Sequence, residues 1–494
     1  MHAAGEVDPF FRSGGLGIVV PALAHAEREL GHTVAIVAPY YAALIPKKLK
    51  KQFKIELIGS TDLEFKNGEP DSTIEPVEFY KCVLEDGVVM YFVSHKRFFL
   101  RQKSLYGRRN DNARFYLFDA AVLALLRTLE QAPDILHCHD WHTGLIPFLL
   151  RTKFKSDAFW DATTTVFTIH NLTFQFGHDW SRAPRDEGYS ALPLPGNSKK
   201  MEVINFAKRA ILNADIINTV SETYREEILA KDFGEELHRI LKNRQKRVFG
   251  IINGIDYEAY NPLTDPGIRK HYSDKSIERK AANKKWLQKH FKLAVEAETP
   301  LVVMTSRIAE QKGYALLKQS IEPLLSHGTQ FIIMGNGDKE FIEFFERVAA
   351  QHPKSFVIVP FQAKYETALY AGGDLLLLPS RFEPCGINQM IALRYGCIPV
   401  GHHIGGLVDT IHDYDPRTKE GNGFVFKKYD SESLTLAVAR AVENFKHHDS
   451  WHELIVTGMQ EANSWRLPAQ SYIGLYQKGI QLHKKYNREK HAKE

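Results

Sequence analysis

The segment Pro379-Ser380-Arg381-Phe382-Glu383-Pro384-Cys385-Gly386-Ile387-Asn388-Gln389 follows the apolar run Leu375–Leu378. It reads as a buried strand that ends in Pro-Ser, with an acid, Pro, Cys and Gly immediately beyond it. That order places the Glu383 carboxylate at the mouth of a parallel sheet, beside the amides that begin the next helix. In open α/β sheets, ligands bind outside the carboxyl ends of the strands. The competing reading is an ordinary strand-to-helix turn in which Glu383 is only a cap.

Two cations occupy a similar position earlier in the chain. In Thr305-Ser306-Arg307-Ile308-Ala309-Glu310-Gln311-Lys312-Gly313, Arg307 and Lys312 lie just past an apolar run at 301–304. Such a pair suits a diphosphate, because Arg binds it bidentately and Lys acts as a point charge. The alternative is a pair of surface cations on a βα loop. Ser13-Gly14-Gly15-Leu16-Gly17 precedes an apolar helical pattern. Its adjacent glycines let the backbone approach an anion, and the helix N-terminus adds a favourable dipole. The spacing is not GxGxxG, so no nicotinamide cofactor is indicated. Ile404-Gly405-Gly406-Leu407-Val408-Asp409 is a second diglycine turn able to offer amides to phosphate.

His137-Cys138-His139-Asp140-Trp141-His142 has the residue types of a metal site. On a strand, however, His137 and His139 share one face, while Asp140 and His142 fall in the following turn. No second ligand group has zinc spacing, so no metal is expected. A polar strand end for a sugar fits better, with Asp140 accepting hydroxyls and Trp141 supplying apolar area. His170-Asn171 ends the next strand and can serve the same site, or His170 can be a buried, hydrogen-bonded core residue. Asp413-Tyr414-Asp415 has the form of a metal-binding acidic pair, but Pro416 and Gly421-Asn422-Gly423 mark it as a turn.

These motifs need a scaffold that aligns strand ends. Short apolar runs alternate with helical patterns through both halves, which argues for parallel sheets of βαβ units. Strands are expected at 33–38, 134–139, 165–170 and 214–220, with a first helix over 19–30 and Ser221 as a helix N-cap. After a charged helical stretch, rich in Lys and Ala over 275–292, a second run of strands is expected at 301–304, 331–334, 356–359 and 375–378. A chain of 494 residues is too long for one core. The expectation is two Rossmann-like domains, 1–253 and 254–467, with a C-terminal helix in 468–494 returning to the first domain. A cleft between two such domains is the usual home of a small-molecule site.

Composition narrows the class. With 64 basic and 59 acidic residues the balance is mild, and no stripe of basic and aromatic residues argues for nucleic acid. Cys82, Cys138, Cys385 and Cys397 lie far apart, so neither a disulfide framework nor a zinc knuckle is suggested. No apolar run approaches a transmembrane span, and no basic-then-apolar leader opens the chain. A cytoplasmic setting is the expectation. Oligomeric state is not readable from the sequence.

Taken together the motifs resemble the bacterial glycogen and plant starch synthases of glycosyltransferase family 5. The resemblance runs in order through Gly14 to Gly17, His139-Asp140-Trp141-His142-Thr143-Gly144, Phe167-Thr168-Ile169-His170-Asn171 and Thr219-Val220-Ser221-Glu222-Thr223-Tyr224. It continues through Ile252-Asn253-Gly254-Ile255-Asp256, the Arg307 and Lys312 segment, Phe382-Glu383-Pro384-Cys385-Gly386 and residues 404–410. It implies a GT-B fold and transfer of glucose, with retention, from ADP-glucose or UDP-glucose to the non-reducing end of an α-1,4-glucan. The nucleotide-glucose is then a co-substrate, with no other cofactor and no metal. It further implies that Arg307 and Lys312 hold the donor diphosphate and neutralise the leaving group. Glu383 binds glucosyl hydroxyls near the anomeric carbon, as a positioning group rather than an assigned nucleophile. Asp140 and His170 complete the sugar site. Donor contacts fall to Arg12, Gly14, Gly15, Cys385, Gly386, Gly405, Gly406 and Leu407, with Phe361 stacking on the base. Trp141, His142 and Asn171 would meet the acceptor or sugar.

The chain departs from the family pattern at several points. Arg12 replaces the usual Lys, Ile18 the usual Asp, and Asn388 and Ile404 stand where Thr is common. The segment before Glu6 is short and weak for a central strand, consistent with a missing start or a diverged N-terminus. Two further readings follow. One is a retaining GT-B enzyme with another donor or acceptor, disfavoured because Ile391 replaces the second Glu of many such enzymes. The other is a non-catalytic glucan-binding or regulatory paralogue, favoured by Arg12 and Ile18 but opposed by intact Arg307, Lys312 and Glu383.

Overall fold

A computed structural model gives the structure of residues 1–66, 72–177, 186–188 and 201–491; the last residues of the expected C-terminal segment, 492–494, lie outside these described residues. The chain divides into two compact units, Met1–Asn253 with Trp465–Glu494, and Gly254–Ser464.

Unit 1 is built on nine strands: β1 (His2–Ala3), β2 (Ala35–Pro39), β3 (Glu56–Lys66), β4 (Ser72–Val83), β5 (Val89–Ser94), β6 (Ile135–His139), β7 (Thr164–Ile169), β8 (Ile216–Thr219) and β9 (Val248–Gly250). Their order across the sheet is β3-β4-β5-β2-β1-β6-β7-β8-β9. From β5 to β9 all pairings are parallel, as strands buried on both faces require. β7, Thr-Thr-Val-Phe-Thr-Ile, is buried at every position, with no alternation to mark an outer face. The expected strands are all present, displaced by one or two residues at their ends.

β1 is only two residues long, yet it is central. His2 pairs in register with Ile36 on one side and His137 on the other. The antiparallel β3–β4 pair at the sheet edge was not anticipated. Its signal is the two-residue alternation in Glu-Leu-Ile-Gly-Ser-Thr-Asp-Leu-Glu-Phe-Lys, which suits a half-exposed strand.

Helix α1 (Leu16–Glu29) begins three residues before the expected point, directly after Gly15. Ser221 caps the following helix Glu222–Leu229 as expected, its side chain accepting from Tyr224 N. The C-terminal helix Arg466–His491 packs within unit 1 and is tied there by polar contacts. Asn218 Nδ2 donates to Tyr472 Oη at 2.9 Å, and His483 Nδ1 lies 3.0 Å from Asp215.

Unit 2 holds six parallel strands: β10 (Leu301–Thr305), β11 (Gln330–Met334), β12 (Phe356–Val359), β13 (Leu375–Leu378), β14 (Ile398–His402) and β15 (Phe424–Phe426). Their order is β12-β11-β10-β13-β14-β15, the 3-2-1-4-5-6 order of a doubly wound sheet. Within the charged stretch expected to be helical lies the Lys-rich helix Lys280–His290. Lys280 is buried, and its Nζ donates to the carbonyls of Tyr370, Ala371 and Gly373 at 2.8–2.9 Å. These carbonyls end the neighbouring helix Glu366–Gly372, where a cation satisfies otherwise orphaned acceptors. Burial lowers that ammonium to about 8. No helix among the described residues is long and apolar enough to cross a membrane.

Candidate active site

In unit 2 the strand order reverses between β10 and β13, which opens a crevice at their carboxyl ends. The loop after β10 carries Arg307 and Lys312, and the loop after β13 carries Glu383. Lys312 Nζ donates to Glu383 Oε2 at 2.5 Å, and Ser380 Oγ donates to the same oxygen at 3.0 Å. Arg381 N donates to Gln311 O at 2.8 Å, stitching the two loops together. Asn388 Nδ2 reaches back to Thr305 O at 2.7 Å, joining the β10 end to the next helix. Arg307 is exposed, its Nη2 donating to Gln311 Oε1 at 3.2 Å.

Glycine is needed at two of these junctions. Gly313 has φ +81°, and a Cβ there would overlap the Pro379 carbonyl oxygen. Gly406 would overlap the Cys385 carbonyl in the same way. Gly386 and Gly405 also take positive φ, 71° and 48°. The expected amide donors are partly spent, however. Gly406 N donates to Glu383 O at 3.0 Å and holds the Glu383 loop in shape, while Leu407 N donates to Ile404 O at 3.1 Å and closes its own turn. Leu407 is buried, as is Cys385. Phe361 is 40% exposed beyond the carboxyl end of β12, with its amide on Asn336 Oδ1 at 3.3 Å.

In unit 1 the order reverses between β1 and β6. The loop after β1 is organised by Glu6, which is buried. Its Oε2 accepts from Ser13 N at 2.6 Å and Ser13 Oγ at 2.8 Å, and its Oε1 accepts from Gly17 N at 3.1 Å. The turn this clamp holds exposes Gly14 and Gly15, whose amides have no partner among the described residues. Arg12 stands beside them in an exposed pair with Asp8, Nε to Oδ1 3.4 Å.

Asp140 follows β6 with φ 56° and ψ −179°, a backbone region strained for any residue but glycine. Its Oδ1 accepts from His170 N at 2.7 Å and lies 3.5 Å from Asn171 N. Burial, with a smaller contribution from Glu6, pushes its carboxyl up to about 7 despite these amides. Burial also lowers His170 to about 3, so its imidazole is neutral. Asn171 Oδ1 accepts from Thr173 N at 3.0 Å and closes the turn.

Two expected sugar contacts are displaced by packing. Trp141 is 4% exposed, edge-on to Phe115 at 5.0 Å and Phe206 at 5.9 Å. His142 is 5% exposed and stacked on Tyr106 at 4.6 Å. Both rings fill the core beneath Asp140, since a 3-10 turn straight after β6 aims them inward. Among the described residues they brace the strained turn and present no face to a sugar.

Residues 1–243 match the family model for the starch synthase catalytic domain, and residues 287–454 match that for glycosyl transferases group 1. The glycogen synthase of Geobacillus thermodenitrificans (strain NG80-2) is 38% identical over 97% of each chain. The chain belongs to the glycogen and starch synthase family. The glycogen synthase of Syntrophotalea carbinolica is 39% identical, with 97% of this chain and 99% of the relative covered. Among solved structures, the catalytic domain of starch synthase IV from Arabidopsis thaliana, bound to ADP and acarbose, superposes with a TM-score of 0.85 at 30% identity. It covers 97% of this chain and 99% of its own. Sucrose-phosphate synthase from Thermosynechococcus elongatus shares the fold, with a TM-score of 0.61 at 15% identity. The fold is GT-B, two parallel α/β units.

Several residues that shape this family member's site went unassigned in the sequence. Glu6 figured only as a landmark, and Ser380 and Gln311 were given no role. Ser380 and Gln311 act by bonding to residues that were assigned, and Glu6 by shaping the turn around Gly14 and Gly15, relations set by loop geometry rather than by spacing. His137 and His139 do converge, joined by His2, with donor atoms within 4.8 Å of one another. All six of their ring nitrogens are engaged: by Glu27, Tyr476, Thr168, His170, and the His2–His139 contact itself. Asp413 and Asp415 pair with Arg440 and Arg417 in a turn.

Proposed function

We propose that the protein is a glycogen synthase, transferring glucose with retention from ADP-glucose, or UDP-glucose, to the non-reducing end of an α-1,4-glucan. The observation that carries the reading is the Arg307, Lys312 and Glu383 constellation at the switch point of unit 2, in a chain of this family. Lys312 and Arg307 would take the donor diphosphate, where negative charge grows as the glycosidic bond breaks. Glu383 is partnered by Lys312 and Ser380, so it is suited to holding glucosyl hydroxyls in place. Binding of the diphosphate would draw Lys312 from Glu383 and free the carboxylate for the sugar.

Unit 1 would offer hydroxyl partners in Asp140, biased toward its neutral form, and in the neutral His170, with the exposed amides of Gly14 and Gly15. ADP-glucose is the favoured donor, because the Arabidopsis relative is a complex with ADP. A metal-free reaction is favoured by two features. Two cations already serve the diphosphate, and the one buried histidine cluster among the described residues spends its nitrogens on hydrogen bonds. A cytoplasmic setting is favoured by four free, buried cysteines.

The test is incorporation of labelled glucose from ADP-glucose and UDP-glucose into glycogen, with and without EDTA. Lys312→Ala and Glu383→Ala are each expected to lower kcat about a hundredfold or more, the scale for removing a preorganised charge partner. EDTA is expected to leave the rate unchanged. No incorporation from either donor, with glycogen still bound, would remove the synthase reading.

A further inference from the structure

Glu27 in α1, His2 in β1, His139 in β6 and His170 just beyond β7 form one unbroken buried hydrogen-bond chain. Glu27 Oε2 meets His2 Nε2 at 2.8 Å, His2 Nδ1 meets His139 Nε2 at 3.1 Å, and His139 Nδ1 meets His170 Nε2 at 3.0 Å. A second arm ends on the same carboxylate. Tyr476 Oη donates to Glu27 Oε1 at 2.6 Å, and His137 lies between Tyr476, at 2.8 Å, and Thr168 Oγ1, at 2.6 Å. At the far end of the first arm, His170 Nδ1 has no hydrogen-bond partner among the described residues.

We propose that Glu27, His2 and His139 act as positioning residues that set the tautomer of His170, keeping its proton on Nε2 and its Nδ1 open to accept from a sugar hydroxyl. This rests on the reading of His170 as part of the sugar site.

The physical basis is that a neutral imidazole has one donor and one acceptor nitrogen, so in a chain of them each assignment dictates the next. An ionised Glu27 can only accept. With the imidazoles neutral, His2 must carry its proton on Nε2, and its Nδ1 must accept from His139 Nε2. His139 Nδ1 must then accept from His170 Nε2. Only Nδ1 of His170 is left, as a lone pair.

The environment supports these states. Burial holds His139 far below the ordinary imidazole range and lowers His170 to about 3. Burial raises Glu27, but the electrostatic attraction of His2 and the hydrogen bonds from His2 and Tyr476 outweigh that and keep it below the usual carboxylate value, so it can only accept. Buried histidines need partners in any fold. What a purely structural network would lack is a direction, and here the one carboxylate at its end supplies it. Reversed, the chain would face a carboxylate with a lone pair on His2 and present an N–H to the sugar.

The test uses the full chain with ¹⁵N-labelled histidine at pH 8, where the nitrogen shifts of His170 report which atom is protonated; loss of the signal in His170→Asn identifies it. In the unaltered protein the Nε2–H form is expected. Glu27→Gln, whose amide can donate to His2, is expected to shift His170 toward Nδ1–H. It should also lower kcat about tenfold with KM for glycogen within about twofold, the scale of one misdirected hydrogen bond. His139→Leu breaks the chain and should leave mixed tautomers, whereas His139→Gln can donate and accept in the original sense and should restore the Nε2–H form and most of the rate. Melting curves establish that each variant is folded, and the two His139 variants decide the matter if Glu27→Gln is not. An Nδ1–H form in the unaltered protein overturns the proposal. So does an unchanged Nε2–H form in both Glu27→Gln and His139→Leu. A normal kcat in His170→Asn would instead remove the sugar-site reading, with the tautomer measurement still judging the chain.

Discussion

The two units place their candidate site at the same topological point, the strand reversal of a parallel sheet, and equip it in opposite ways. In unit 2 the reversal lies between β10 and β13 and is charged: Arg307, Lys312 and an ion-paired Glu383. In unit 1 it lies between β1 and β6 and its acid and imidazole are shifted the other way: Asp140 is raised to about 7 and His170 is lowered to about 3, so both are biased toward their neutral forms by burial. A charged site suits a diphosphate, which brings its own counter-charge. A neutral one suits hydroxyls, which gain from directed hydrogen bonds and lose nothing to charge desolvation. On the proposed reading one topology serves two different chemistries, and the division lies in side-chain burial rather than in fold.

The largest expected effect tests how rigidly each loop is built. Gly313→Ala would force a Cβ into the Pro379 carbonyl at φ +81°. It is expected to cost about 3 kcal/mol or more in the stability of unit 2, as close backbone contact and strain add. Gly14→Ala meets only Glu6 Oε1, at 3.6 Å, so its melting temperature should stay close to that of the unaltered protein. Denaturant melts of both variants read the difference. Equal losses would mean that the β1 loop is as tightly stitched as the β10 loop.

The next effect sharpens the electrostatic contrast. Asp140 titrates at about 7 in the folded chain against an ordinary 3.8. An acid with a raised folded value binds its proton more tightly when folded, so the folded state holds more protons than the unfolded state between these limits. Stability therefore falls as pH rises through that window, by an amount on the order of a few kcal/mol. Asp140→Asn cannot titrate, keeps an oxygen for His170 N, and carries a side chain of the same shape on the same strained backbone. It should flatten the slope between pH 4 and 7 and be more stable at pH 8, while losing activity. An unchanged slope would show that Asp140 is ionised throughout and that unit 1 is not the neutral half.

How much of this was legible in the sequence follows the same division. The unit 2 site could be read almost residue by residue, since Arg307, Lys312 and Glu383 follow apolar runs that can only be buried parallel strands. The unit 1 site was half legible. Asp140 and His170 follow strand ends and come together as expected, but Trp141 and His142 lie in the same motif and turn inward. Nothing in the local order His-Asp-Trp-His separates an exposed ring from a buried one, because the direction of the turn after β6 is set by packing against Phe115 and Phe206 from distant segments. Gly406 and Leu407 were misread for a related reason. A diglycine turn offers amides only if no neighbouring loop takes them, and here Glu383 O takes the Gly406 amide. The burial of Lys280 had no signal in composition, and the helix end it caps explains it.

The smallest expected effect concerns Arg12, the residue where this chain departs from its family beside the unit 1 glycines. Its partner Asp8 is half-exposed, and exposed pairs contribute about 0–1 kcal/mol. Arg12→Ala should therefore leave the melting temperature nearly unchanged. If Arg12 serves the donor as the usual Lys does, the same variant should raise KM for ADP-glucose several-fold, on the scale of one screened phosphate contact of about 1 kcal/mol. Arg12→Lys then separates charge from shape, because a Lys that restores KM needs only a point charge, whereas a Lys that does not points to the planar fork. A flat response to both substitutions would confine the diphosphate to the cations of unit 2 and make the contrast between the halves complete. A large response would place one charged donor contact in the otherwise neutral half, at the loop where the Gly14 and Gly15 amides stand open among the described residues.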